Sequence, residues 1–185
     1  MEEIATPQHD KKASLVFVDT CVVQYSNDSN KSKAESVIKC LASSGEQIGS
    51  LTISEITVYE YLHGLFGSKR KKALAVLSTY EKKIVSARVL LFASILGGLY
   101  HDEKIDGIEM GDKLIAATAI TENGYILTAN HKDYPHPFFV TEESFALPYQ
   151  VGHYKKTLDI VLYKPNLALL VRRLEEKSNE NANKK

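Results

Sequence analysis

The sequence has few cysteines, no net charge and no long apolar run. Its two cysteines, Cys21 and Cys40, lack the paired spacing of a metal-binding motif, so they favour a reducing compartment and argue against a disulfide scaffold. The 23 basic and 23 acidic residues cancel, and any affinity for nucleic acid must therefore come from local patches. The longest nearly apolar stretch, residues 89–100, is too short to cross a bilayer and is typical of a buried helix.

An export signal is also missing from the first residues. Residues 1–12 are polar and mixed in charge, without the apolar stretch of a signal peptide. We therefore expect a cytoplasmic protein with no membrane association. Hydrophobic residues make up 44% of the 185 residues, which is enough for one compact domain with its own core.

Apolar runs alternate with amphipathic stretches along the chain. This alternation predicts an α/β fold, a three-layer α/β/α sandwich with a mostly parallel central sheet. Strands are expected at residues 14–19, 47–53, 83–86, 125–129, 138–141 and 154–164. Helices are expected at residues 32–44, from Ser54 through Glu60, and at 69–82, 87–102, 111–123 and 166–177.

The ends of the chain are expected to differ from its centre. Residues 14–150 should form the main domain, and residues 151–177 a C-terminal strand–helix extension packed on that domain. Residues 1–13 and 178–185 are polar and carry no periodic apolar pattern, so we expect them to be disordered.

Four acidic residues occupy positions where an α/β sheet can bring them together. Asp19 ends the first strand, Glu60 lies in the second helix, Asp112 opens the helix at 111–123, and Asp133 follows the strand at 125–129. Ligands of such sheets bind beyond the carboxyl ends of the strands. Two carboxylates about 4 Å apart repel by roughly 4 kcal/mol at an effective dielectric constant near 20. Converging acids would therefore bind a divalent cation or take up protons.

Each acid alone also has an ordinary explanation. Asp19 is suited to capping the next helix, and Asp112 stabilises the positive end of a helix dipole whether or not it binds a ligand. Glu60 is explained by a solvent-facing position, and Asp133 by a turn. The joint pattern is more specific than any of its members.

Four short motifs occur in order between residues 14 and 141. The motifs are Asp19-Thr20 at the end of a strand; Ile-Ser-x-Ile-Thr-x-x-Glu-x-x-x-Gly at residues 53–64, with Glu60 as its acid; Asp-x-Leu-Ile-Ala-Ala at residues 112–117; and Thr-x-Asn-x-x-Asp-aromatic, formed by Thr128, Asn130, Asp133 and Tyr134. Together these segments resemble the PIN-domain ribonucleases, and within them the VapC-type toxins of toxin–antitoxin pairs.

The resemblance implies a PIN-like nuclease domain that hydrolyses RNA with Mg²⁺ or Mn²⁺. The implied metal ligands are Asp19, Asp112 and Asp133, and Glu60 would bind a second metal or orient the attacking water. Hard cations prefer carboxylate and water oxygens, which fits a site of acids alone. Three further residues would hold the carboxylates in place: Thr20, Thr128 and Asn130.

The resemblance also implies partners. A small antitoxin is expected to lay its C-terminal peptide in a groove, with an arginine against the acids, and the toxin is expected to be a homodimer. The chain departs from the family in continuing well beyond the fourth motif. Residues 142–185 are therefore expected to enlarge the dimer interface or to form part of that groove.

The densest basic run is the candidate contact for RNA. Lys69, Arg70, Lys71 and Lys72 could bind phosphates, although a solvated helix start explains them equally well.

Three other functions compete with the toxin. A housekeeping PIN-domain ribonuclease without an antitoxin has the same motifs, and a non-catalytic PIN-like binding module would have lost acids that this chain retains. A phosphatase of the haloacid dehalogenase type needs a second aspartate two residues after the first, and Cys21 stands there instead.

Overall fold

A six-stranded sheet forms the centre of the molecule in the computed structural model, which describes residues 14–182. The strands are β1 (Ser14–Val18), β2 (Gly49–Ser54), β3 (Glu81–Lys83), β4 (Tyr125–Thr128), β5 (Phe139–Val151) and β6 (Tyr154–Pro165). Their order across the sheet is β3-β2-β1-β4-β6-β5. The first four of these are mutually parallel, whereas β6 is antiparallel to both β4 and β5. The expected mostly parallel sheet is confirmed.

Helices cover both faces of the sheet, and the predicted α/β class is confirmed. Between residues 14 and 182 the helices are α1 (Thr20–Tyr25), α2 (Lys31–Gln47), α3 (Glu55–Leu62), α4 (Gly67–Leu77), α5 (Ala87–Asp102), α6 (Met110–Glu122) and α7 (Leu167–Ala182). Helices α2, α3 and α5 are capped at their starts by the side chains of Asn30, Ser54 and Ser86, each of which accepts a hydrogen bond from a backbone N–H group. None of the helices in this described part combines the length and apolar character needed to cross a bilayer.

Strand β1 supplies side chains to the cores on both sides of the sheet. Val16 and Val18 belong to the core shared with α1 to α4, and Phe17 to the core shared with α5, α6 and α7. All three side chains are completely buried. Successive residues of a strand point to opposite faces, so a strand covered on both sides is apolar without interruption.

Helix α6 packs very closely on the sheet and holds its first turn at the carboxyl ends of β1 and β4. Ala116, Ala117 and Ala119 are fully buried, because small side chains let the helix approach the strands. The helix ends at Asn123, which adopts the left-handed conformation with φ 52°. A Cβ on the next residue, Gly124, would lie 2.8 Å from Phe17 Cε2, so this turn requires glycine.

Two stretches before residue 90 differ from the sequence prediction. The short helix α1 is not predicted, because its six residues are too few to show a helical period. Helix α4 ends at Leu77, not at residue 82, and β3 begins at Glu81, before the predicted 83–86. The parallel pairing of β3 with β2 sets this boundary, and Thr52 Oγ1 donates to Glu81 O (2.9 Å).

The C-terminal part contains a long β-hairpin in place of the short strand predicted at 138–141. Strand β5 pairs with β6 from Phe139 as far as Val151, where Gly152 (φ 59°) forms the turn. Pro148 and the acids Glu142 and Glu143 make this stretch poor in strand signals, but pairing with β6 and packing on α2 override local preference.

The last helix is longer than predicted. It continues to Ala182, so part of the segment 178–185 for which we expected disorder is helical. Lys177 forms ion pairs with Asp102 (3.0 Å) and, within the helix, with Glu180 (3.5 Å). Charge pairs three residues apart support a helix that has little apolar surface. Residues 1–13 and 183–185, also expected to be disordered, lie outside the described residues.

Candidate active site

The four predicted acids line one cavity at the carboxyl edge of the sheet. Asp19 follows β1, Glu60 lies on α3, Asp112 is in the first turn of α6, and Asp133 lies in a short 3₁₀ turn after β4. The cavity has a volume of about 900 Å³ and all four side chains contribute to its wall. Residues far apart in the sequence therefore meet where an α/β sheet binds its ligands.

Asp19 is the most deeply buried of the four acids. Its residue is 3% exposed, and its side chain makes no capping hydrogen bond to α1. Thr128 Oγ1 donates to Asp19 Oδ2 (2.5 Å), and Cys21 Sγ donates to the same oxygen over 3.5 Å. Burial raises the pKa of Asp19, and the hydrogen bond from Thr128 acts in the opposite direction. The capping explanation for Asp19 is therefore wrong.

Glu60 points into the cavity, and the solvent-facing explanation for it is also wrong. Thr20 Oγ1 donates to Glu60 Oε2, while Oε1 lies so close to Gly111 that a Cβ there would collide with it. Burial raises the pKa of Glu60, the bond from Thr20 lowers it, and the charges of Asp19 and Glu109 raise it further. A glycine at residue 111 leaves the space that this orientation of the Glu60 carboxylate occupies.

The carboxyl group of Asp112 holds its proton much more strongly than a free aspartate does. Burial raises its pKa to about 7, with smaller contributions from Asp133, Asp19, Glu60 and Glu109. These carboxylates are therefore close enough to repel one another. A position in the first turn of α6 favours negative charge, and this offsets the repulsion only in part.

Asp133 is held by the residues of its own motif. Asn130 Nδ2 donates to Asp133 Oδ2, and the backbone N–H of Asn130 donates to Thr128 Oγ1 (2.9 Å). Since Thr128 also donates to Asp19, one chain of hydrogen bonds connects the acids after β1 and β4. Burial, and then the charge of Asp19, raise the pKa of Asp133.

Glu109 is a fifth acid of the cavity that the motifs do not single out. It occupies the residue before α6, makes no capping hydrogen bond, and its charge raises the pKa of Glu60, Asp112 and Asp133. The signal for it in the sequence is its position three residues before Asp112.

Two buried tyrosines lie near the acids but outside the wall of the cavity. Tyr100 and Tyr134 are each 1% exposed. Burial raises the pKa of both hydroxyls, and the charges of nearby acids add to the shift, Asp112 first for Tyr100 and Asp19 first for Tyr134. Both phenols therefore stay neutral beside the acids.

Cys21 is a half-buried neighbour of the acids and is not activated as a nucleophile. Burial and the charge of Asp19 raise the pKa of its thiol to about 12. A thiol that is neutral at physiological pH is a poor nucleophile.

The donors of the cavity fit a hydrated hard cation. All the converging acids are oxygen donors, which suits Mg²⁺ or Mn²⁺. Within residues 14–182, no three His, Cys, Asp or Glu side chains lie close enough together to enclose an ion directly. Mg²⁺ commonly keeps several of its waters and uses one or two carboxylates, so this open spacing is compatible with it.

The predicted basic run lies next to a second groove. Of Lys69, Arg70, Lys71 and Lys72, only Arg70 lines this groove, which has a volume of about 560 Å³. Tyr59 and His63 line both the acidic cavity and the groove, so the two lie side by side along α3.

The family model of the PIN domain matches residues 16–135, which include all four acids. The chain belongs to the PIN-domain family. PIN domains are generally nucleases. Strands β5 and β6 and helix α7 lie outside the residues that the PIN domain spans.

Several solved structures share this fold, among them a toxin–antitoxin complex from Klebsiella pneumoniae that is 20% identical with a TM-score of 0.51, over 66% of this chain and 92% of that one. VapBC2 of Rickettsia felis, bound to a DNA fragment from its promoter, is 22% identical with a TM-score of 0.56, over 66% of this chain and 93% of that one. FitAcB of Neisseria gonorrhoeae is 20% identical with a TM-score of 0.53, over 64% and 90%. VapBC-1 of nontypeable Haemophilus influenzae is 18% identical with a TM-score of 0.53, over 65% and 90%. No curated protein sequence shows significant similarity to this PIN-domain chain.

Proposed function

We propose that this PIN-domain protein is a metal-dependent endoribonuclease that hydrolyses RNA phosphodiester bonds and is the toxin of a toxin–antitoxin pair. The observation that carries the proposal is the meeting of Asp19, Glu60, Asp112 and Asp133 in one cavity from four separate segments. Burial is the main cause of the raised pKa values of all four acids, and repulsion from neighbouring carboxylates adds to the shifts of Glu60, Asp112 and Asp133. Groups with such perturbed pKa values in a cavity are commonly functional.

In this proposal the acids hold Mg²⁺ or Mn²⁺. Asp19, Asp112 and Asp133 are the principal ligands, directly or through water, and Glu60 holds a second ion or orients the attacking water. A bound divalent cation lowers the pKa of water and stabilises negative charge on the phosphate. The positive charge would also return Asp112 to its ionised form at neutral pH, because it replaces repulsion from the other acids by attraction.

Neighbouring polar groups fix the carboxylates in this proposal. Thr128 holds one oxygen of Asp19, Thr20 holds one oxygen of Glu60, and Asn130 holds one oxygen of Asp133. Each carboxylate keeps its other oxygen for a ligand. Such hydrogen bonds orient metal ligands, and their loss lowers metal affinity or activity by about 10- to 100-fold.

The toxin assignment rests on the likeness of the fold to those toxin–antitoxin structures. The expected partner is a small antitoxin whose C-terminal peptide places an arginine against the acids. A homodimer is expected as well. Growth assays with the protein expressed alone, and then together with the adjacent small gene, test this part: rescue of growth by the small gene supports the toxin. If the protein cleaves RNA but its expression alone does not slow growth, a housekeeping ribonuclease is favoured.

Cleavage of labelled RNA by the purified protein tests the chemistry. We expect cleavage with Mg²⁺ or Mn²⁺, none with excess EDTA, and none from the variant Asp112→Asn. Asp159→Asn is the matched control, because Asp159 is exposed on β6 away from the cavity. Cleavage by Asp112→Asn at the normal rate would show that the site is wrongly assigned.

A further inference from the structure

The groove beside the acidic cavity lies between α3 and the start of α4. Its walls include the exposed rings of Tyr59 and Phe66, which are 66% and 81% exposed, and the basic side chains Arg70 and Lys82. Tyr59 and His63 stand one helical turn apart at the junction with the cavity, with ring centroids 5.7 Å apart. A ligand that extends from the acids along α3 would therefore contact these rings.

The charge of the groove is opposite to that of the cavity. Residues 69–83 contain six basic side chains and one acid, Glu81, which is paired with Lys83 (2.6 Å). Among the described residues, neither Arg70 nor Lys82 has an acidic partner. Arg70 Nη1 donates to Leu62 O over 3.4 Å, which directs the guanidinium to the end of α3. Its other N–H groups can bind an anion.

Glu55 is the acid among the residues that line the groove, and its carboxylate accepts the backbone N–H of Val85 (3.1 Å). Because Arg70 and Lys82 stand against this one acid, the groove keeps a net positive charge.

We propose that this groove binds the single-stranded RNA that extends from the acidic cavity; the proposal rests on the proposed nuclease function. Each nucleotide brings a phosphate, which Arg70 and Lys82 attract, and a base, which stacks on an exposed ring such as Tyr59 or Phe66. This combination binds RNA without sequence specificity, because it contacts phosphates and the faces of bases. A peptide that carries an arginine to the acids fits the groove less well, because Arg70 and Lys82 repel its positive charge.

Binding by a catalytically inactive protein tests the groove apart from cleavage. In the Asp112→Asn background, the affinity for a labelled single-stranded RNA of about twelve nucleotides is measured by fluorescence anisotropy with Mg²⁺ present. We expect Tyr59→Ala to weaken binding about tenfold, because a stacked base is lost. Tyr59→Phe keeps the ring and should restore binding.

The basic residue has a matched control far from the groove, on the hairpin. Arg70→Gln should weaken binding about threefold to fivefold and reduce the slope of log affinity against log salt by about 0.7. Lys156→Gln removes the same charge from an exposed position on β6, and Tyr154→Ala removes a ring that is 76% exposed on the same hairpin. Both controls should bind within about twofold of the parent, if proximity to the groove decides the effect.

The outcomes separate this proposal from the proposed nuclease function. If the wild-type protein cuts RNA but Tyr59→Ala and Arg70→Gln bind like the two controls, the groove is not an RNA site and the function stands. Unchanged RNA binding together with lost antitoxin binding would assign the groove to the protein partner and overturn the proposal. If the wild-type protein neither binds nor cuts RNA with any metal, the nuclease function itself fails.

Discussion

The carboxylate of Glu60 lies against the backbone of Gly111, in the space that a Cβ at residue 111 would occupy. Helix α6 therefore carries two features of the cavity at its start: Asp112 lines the wall, and Gly111 leaves room for the acid of helix α3. The residue before Asp112 is a glycine because a side chain there would meet the Glu60 carboxylate.

Replacing Gly111 by alanine is expected to reduce RNA cleavage at least tenfold, because a displacement of about 1 Å in a catalytic group can lower a rate about 100-fold. The free energy of unfolding should change little, because alanine favours a helix by about 1 kcal/mol and offsets part of the steric conflict. Cleavage rates and urea unfolding measure the two effects. Gly98→Ala is the control, since a Cβ there meets no atom within 4 Å. Equal activity of both variants would contradict the crowding of Glu60.

The stability of the metal-free protein should decrease as the pH rises from about 4 to about 7. Asp112 has a folded pKa of about 7 against 3.8 for the free side chain, so the folded state takes up its proton more readily. Its contribution to stability is complete below the lower of these values and is lost as the pH rises through the upper one. The pKa values of Asp19, Glu60 and Asp133 are raised too, and they act in the same direction.

Urea unfolding in EDTA at several pH values measures this decrease. Asp112→Asn should show a smaller decrease than the wild type, and the exposed control Asp159→Asn should match the wild type. Identical pH profiles for wild type and Asp112→Asn would show that Asp112 does not titrate as described.

Divalent cations should stabilise the folded protein and not only activate it. At an Mg²⁺ concentration about ten times the dissociation constant, the free energy of unfolding should rise by about 1.4 kcal/mol. Asp19→Asn should lose most of this increase because it removes a proposed ligand. Thermal melting at matched ionic strength, with NaCl in place of MgCl₂, separates binding from screening. An equal rise in both salts would argue against a specific ion.

Removing the hydroxyl of Thr128 should lower activity or metal affinity by about 10- to 100-fold. Thr128→Val keeps the shape of the side chain but removes the donor to Asp19 and the acceptor for the N–H of Asn130. Thr128→Ser restores the hydroxyl and should recover most activity. Thr157→Val, on the exposed part of β6, is the control. Full activity of Thr128→Val would mean that Asp19 needs no such support.

Truncation before β6 is expected to unfold the protein. Strand β6 lies between β4 and β5, and Ile160 and Leu170 contribute to the cores on the two faces of the sheet. Deleting residues 154–185 should therefore abolish the thermal unfolding transition, whereas deleting residues 178–185 should preserve it. Circular dichroism measures both. A cooperative transition in the longer deletion would show that the hairpin is dispensable for folding.

The parts of this fold that the sequence predicts are those with a regular local pattern. The unbroken apolar run of β1 and the small residues of α6 identify elements that are buried on the sheet, and Asn123 and Gly124 mark a helix end. The part of strand β5 beyond residue 141 was not predicted, because it contains Pro148 and is extended through its pairing with β6. Pairing between strands does not produce a pattern in a short stretch of one strand's sequence.

In the candidate site, too, residues within a local motif were predicted, whereas roles set by contacts distant in the sequence were not. The four motif acids and the polar residues beside them were predicted, and they line or support one cavity. Glu109 was missed, since an acid before a helix ordinarily serves the helix dipole. The role of Gly111 was missed as well, because the reason for a glycine there is an atom on another helix.

The position of β6 inside the sheet has a consequence for protein synthesis. A ribosome completes the first four strands and all the acids before it reaches the strand that flanks β4. A nascent chain, or a fragment released early, would thus carry every carboxylate without the strand that pairs with β4 and stacks Tyr163 on Tyr134, the neighbour of Asp133. Full assembly of the sheet behind the acidic cavity is thereby deferred until translation has passed residue 165.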